Sequence, residues 1–81
     1  MYKNKSENGL NNICGERVRD FRLAMPEKTS QRKLADLLQV EGHDLDKNAI
    51  QRIEAGTRFV TDIEIKTIAK VLGVSYQDLL D

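Results

Sequence analysis

Residues 37–56, LLQVEGHDLDKNAIQRIEAG, hold two apolar helical patterns separated by an acidic, glycine-containing stretch that fits neither. The second pattern follows Asp46, a favourable N-cap, and stops at Ala55 before Gly56, a residue type enriched just past helix ends. This predicts a helix over residues 47–55. At about 100° per residue, Ala49, Ile50 and Ile53 face a core, while Asn48, Gln51, Arg52 and Ala55 point away, with Lys47 on the flank. Such a short helix is unstable alone. Ile50 and Ile53 must therefore hold it against neighbours, which leaves its outer side free. Asn and Gln bond adenine bidentately, and Arg and Lys donate to guanine, so these are side chains that read base edges in a major groove. The same composition is ordinary on any solvated helix face, and the residues alone leave both readings open.

The middle of the stretch offers a third reading. Asp44, Asp46 and Asn48 match the opening of a calcium loop, but Ala49 stands where the sharp turn needs Gly and Ala55 where the bidentate Glu belongs. Glu41, His43 and Asp44 lack the Cys or second His that would complete a zinc site. No metal and no cofactor is expected. His43 reads as an exposed loop histidine and Asp46 as a plain cap.

Working outward, the remaining chain reads as four more short helices and no strand. Helix 1 spans residues 13–24, with Cys14, Val18 and Phe21 on one face, and ends at Pro26. Helix 2 starts at Gln31 behind Ser30, with Leu34, Ala35, Leu37 and Leu38 on its apolar side. Helix 4 opens on a T-x-x-E capping box, Thr61 to Glu64, and Val60 and Ile65 are placed as a hydrophobic staple. Gly73 ends it, and helix 5 follows Ser75. The polar first residues, 1–12, read as a flexible arm, and 13–81 as one all-α domain.

Composition narrows the function classes. Thirteen Lys/Arg balance thirteen Asp/Glu in 81 residues, which argues against indiscriminate nucleic-acid binding. The single cysteine, Cys14, has no internal disulfide partner and fits a reducing cytoplasm. No leader-like segment opens the chain, and no apolar run approaches the roughly 18 residues of a membrane span. The lone histidine lies in a loop, no phosphate-binding glycine loop is present, and no nucleophile–base pair is credible. The chain is not expected to be an enzyme.

Taken together, GERVRDFR, SQRKLADLL, NAIQRIEAGTR and IAKVLGVS, in this order and spacing, resemble the Cro/C1-type (XRE-family) helix-turn-helix domain of phage repressors and small bacterial regulators. The likeness runs from Gly15 to Leu80. It implies a compact five-helix DNA-binding fold and a transcriptional regulator, a repressor of phage or mobile-element type. It assigns base contacts to Lys47, Asn48 and Arg52. Backbone or supporting contacts fall to Gln31, Arg32, Lys33, Gln51, Thr57 and Arg58, and Arg22 and Glu54 become a structural ion pair. Lys3 and Lys5 could extend an arm along DNA. A homodimer through helix 5 (Tyr76, Leu79, Leu80) would read a palindromic operator, with half-sites about 34 Å apart. No separate effector-binding domain is expected. The chain departs from the family pattern in two connections: about four extra residues before helix 3 and about two before helix 2, which loop-closure entropy tolerates cheaply. The acidic turn is expected to face away from the groove. The rival reading is a protein-interaction module, such as an antitoxin whose main partner is a toxin.

Overall fold

The computed structural model describes residues 10–80. Its elements are α1 (Gly15–Leu23), α2 (Gln31–Val40), α3 (Lys47–Ala55), α4 (Asp62–Leu72) and α5 (Tyr76–Leu80). Lys3, Lys5 and the first nine residues of the expected arm lie outside the described residues.

Local chemistry sets most helix limits. Ser30 Oγ accepts the Lys33 N–H at 3.0 Å, and Asp46 Oδ1 accepts the Ala49 N–H at 2.8 Å. Each satisfies a helix-start donor that has no partner within the helix. The Thr61–Glu64 capping box is complete on both sides. Ser75 and Asp78 form the same reciprocal arrangement at α5, with bonds of 2.9 and 3.1 Å. Gly56 closes α3 in the left-handed conformation, φ 80°, which glycine adopts without steric penalty.

Val18, Leu34, Leu38, Ile50, Ile53 and Ile68 are completely buried, and Cys14, Leu45 and Leu79 join them. Full burial of one such aliphatic side chain is worth about 1.5–3 kcal/mol, so this cluster dominates the cohesion of a small domain. α2 and α3 pack closely on each other; α1 backs α3, and α4 backs α2.

The structure changes four expectations. Helix α1 begins at Gly15 rather than residue 13, because Cys14 serves as its N-cap and Asn12 Oδ1 accepts the Gly15 N–H at 2.8 Å. The folded part begins before residue 13: Asn11 donates its backbone N–H to Gly56 O at 2.7 Å, and Asn12 is buried. Residues 10–12 are therefore not a free arm. Leu79 is core, 1% exposed, because α5 is a single short turn pressed against α1 and α4. His43 is half-buried, its Nε2 2.8 Å from Thr67 Oγ1 of α4.

Candidate nucleic-acid interface

Helix α3 has two unlike sides. On the inner side Ile50 and Ile53 are sealed and Glu54 is paired. On the outer side Lys47, Asn48, Gln51 and Arg52 are all exposed, and none forms a side-chain hydrogen bond or ion pair with another described residue. Four polar side chains on two turns of helix are thus available to a partner. Lys47 and Asn48 share an open depression with Arg32, Asp36 and Gln39 of α2, which places the start of the exposed side beside the preceding helix.

The brace behind α3 is polar and fully bonded. Arg22 Nε donates to Glu54 Oε2 at 2.7 Å, and Nη2 donates to Oε1 at 2.9 Å. Arg22 Nη1 donates to the carbonyl of buried Thr29 at 2.9 Å, and Gln31 Nε2 donates to Glu54 Oε1 at 3.1 Å. The pair's side chains are 9% and 4% exposed. α1, the first residue of α2 and the end of α3 therefore meet at one carboxylate, and the α1–α2 connection is tied to the same guanidinium. The hydrogen bond from Arg22 to Glu54 strengthens the guanidinium's hold on its proton, raising its pKa above the ordinary arginine value. Bidentate geometry with the remaining polar atoms satisfied is the condition under which a buried pair offsets its desolvation cost.

The turn into α3 is anchored rather than loose. Leu45 is buried, Glu41 meets Lys70 of α4 at 2.5 Å, and His43 meets Thr67. Asp44 is exposed. No group of three His, Cys, Asp or Glu side chains among the described residues is placed to hold a metal ion.

The loop out of α3 is pinned from the N-terminal side. Asn12 Nδ2 donates to Ile53 O at 3.1 Å and to Arg58 O at 2.7 Å, and Asn11 Nδ2 donates to Thr57 O at 2.9 Å. Gly15 makes this approach possible, since a Cβ there would stand 2.0 Å from Ile53 O. Thr57 is exposed, its hydroxyl donating back to Arg52 O at 3.3 Å. Arg58 differs from the other expected backbone contacts. Its Nη1 and Nη2 donate end-on to Glu64 Oε1 and Oε2, each at 3.0 Å, and Nη1 also donates to Phe59 O. The Arg58 hydrogen bond holds the Glu64 carboxyl below the usual carboxylate range. Of the α2 cations, Arg32 is exposed and Lys33 bridges to Glu27 at 3.0 Å in an exposed pair.

Sequence reasoning did not find Asn12, Leu45 or Glu64. Asn12 carries no local signal, because the carbonyls it bonds lie 41 and 46 residues away, and Leu45 is a single apolar residue in an acidic stretch. Glu64 did carry one, as the capping-box acid, and its second oxygen was free for Arg58.

A helix backed by a bonded core, with an unpaired polar side and a preceding helix packed on it, has the arrangement of a helix-turn-helix unit. The chain belongs to the Cro/C1-type helix-turn-helix family: the family model described as "Helix-turn-helix" matches residues 18–79. It is a DNA-binding transcriptional regulator and not an enzyme. Among relatives, it is 40% identical over 74 residues to Control protein C.BamHI of Bacillus amyloliquefaciens, covering 91% of this chain and 84% of that one. Among solved structures, it is similar to the restriction-modification controller protein C.AhdI from Aeromonas hydrophila, at 31% identity and a TM-score of 0.67, over 80% of this chain and 84% of that one. No helix of the described residues is long and apolar enough to cross a membrane.

Proposed function

We propose that this chain is the controller of a restriction–modification system, binding an operator through α3 in the major groove. The likeness to a control protein at 40% identity across nearly the whole chain carries this reading. It narrows the phage or mobile-element setting expected from sequence to restriction–modification control, the setting of the solved relative. Lys47, Asn48 and Arg52 contact bases, and Gln51 reaches sugar-phosphate. Gln31 supports α3 through Glu54 while its helix start faces the backbone, where helix N-termini favour anions. Arg32, Lys33, Thr57 and Arg58 add phosphate contacts. The antitoxin alternative is not favoured by these relatives, both of which are named for control.

The regulator acts as a homodimer through the α4–α5 side. Tyr76 and Leu80 are 50% and 40% exposed and line one apolar depression with Ile63, itself 65% exposed. Leu79 supports this surface from within. A twofold dimer reads two half-sites about 34 Å apart. Selection from a random duplex pool, followed by a reporter carrying the DNA upstream of the chain's own gene, tests the reading. The expected result is a twofold-symmetric motif that recurs upstream of the gene and of adjoining restriction or methyltransferase genes. Failure to enrich any motif would overturn it.

A further inference from the structure

Arg58 has five N–H donors, as every arginine does. Glu64 takes one from each Nη along the end-on edge, and Phe59 O takes the second Nη1 donor. This leaves Nε–H and the second Nη2–H, which lie side by side on the other edge of the guanidinium. Among the described residues no buried side-chain nitrogen lacks a hydrogen bond, so the unbonded Nε–H reaches solvent. A side-on pair of N–H donors matches two oxygens of one phosphate. The residue is held at its other end as well, because Asn12 Nδ2 clamps the Arg58 carbonyl.

We infer that Glu64 is a positioning residue for DNA backbone binding: it fixes the Arg58 guanidinium so that its Nε/Nη2 edge meets one operator phosphate. This rests on the reading above, in which the α3 exit loop lies against the backbone. Glu64 does not touch DNA in this arrangement. It removes the side-chain freedom that Arg58 would otherwise lose on binding, which is the usual gain from preorganisation. Its negative charge works the other way, since a carboxylate near a polyanion opposes association. The two effects predict opposite signs for removing Glu64, and that makes the inference decidable.

The experiment titrates the full-length protein with a random-sequence duplex, because a phosphate contact is independent of sequence. Affinity is measured as a function of salt for Glu64→Ala, Arg58→Ala, the double variant and Thr61→Ala, at a temperature where circular dichroism shows each folded. Thr61→Ala breaks the same helix start while leaving the Arg58–Glu64 bonds. Glu64→Ala is expected to bind roughly three- to tenfold more weakly, to cause no further loss in the Arg58→Ala background, where only the relief of its charge remains, and Thr61→Ala to bind like the parent. If Glu64→Ala does not fold, Glu64→Gln, which keeps one acceptor oxygen, carries the test with the same sign. Unchanged or tighter binding by the Glu64 variant overturns the inference. So does a loss that persists undiminished without Arg58, since it would then act through the helix start. A salt slope unaltered by Arg58→Ala removes the backbone reading itself, and this inference with it.

Discussion

The two sides of α3 share nine residues and almost no chemistry. Toward the core, Ile50 and Ile53 are fully buried and Glu54 is held by Arg22 and Gln31. Toward solvent, Lys47, Asn48, Gln51 and Arg52 hold nothing in the described structure. The helix is therefore kept in place by one set of groups, and the set proposed to read DNA contributes little to keeping it there. Stability and recognition can be damaged separately, and each side makes a different promise under mutation.

The largest effect belongs to the inner side. Glu54→Ala leaves the Arg22 guanidinium buried without its carboxylate and is expected to cost about 3–5 kcal/mol in a denaturant titration. Replacing Arg22 and Glu54 together by apolar residues of similar volume should cost much less, because no orphan charge remains. A loss below about 0.5 kcal/mol for Glu54→Ala, the level of an exposed pair, would mean that the inner side is not a brace.

The outer side gives the next effect, in a different measurement. Arg52→Ala is expected to weaken operator binding by about 1–3 kcal/mol and to relax preference at the base it contacts. The melting transition should move little, since exposed substitutions usually stay within about 0.5 kcal/mol. An unchanged base preference would show that Arg52 does not read sequence, and a large loss of stability would show that the two sides are not separable.

Much of this contrast is legible before any coordinates. The starts of α2 to α5 follow from Ser30, Asp46, Thr61 and Ser75 because a cap acts within three residues of itself, and the buried side of α3 follows from the spacing of Ile50 and Ile53. What the sequence hides is polar and distant. Asn12 bonds carbonyls 41 and 46 residues away, so its polarity reads as solvent exposure although it is buried. Arg22 and Glu54 were assignable only through the family resemblance, since 32 residues separate them. Arg58 and Glu64 are near neighbours, yet the capping box accounts for Glu64 by itself and conceals its second duty.

Asp46 sits where the two sides meet, at the start of α3. Its carboxylate caps the Ala49 N–H, and Asp46→Ala is expected to cost about 1 kcal/mol of stability. Asp46→Asn should cost less, because the amide oxygen still accepts that bond. Operator affinity should fall for Asp46→Ala only as far as the first turn of α3 frays, bringing down Lys47 and Asn48 but not Arg52. Equal losses of base preference at the Asn48 and Arg52 positions would contradict that local picture.

The smallest effects are expected in the enlarged turn, whose Glu41 and His43 are engaged by α4 rather than by α3. The Glu41–Lys70 bridge has side chains 30% and 72% exposed. Exposed pairs of this kind are worth about 0–1 kcal/mol, so Glu41→Gln should barely move a melting curve. His43 makes its contact with Thr67 of α4, which leaves Asp44 as the turn's solvent-facing charge without a described partner. If these groups stood near operator phosphates, neutralising them would relieve repulsion and tighten binding, most strongly at low salt. With Glu41 and His43 committed to α4, the expected outcome for Glu41→Gln, His43→Ala and Asp44→Asn together is an affinity close to the parent's. A gain of about tenfold at fixed salt, or 1.4 kcal/mol, would place the turn beside the DNA and make it a third face of the reading unit.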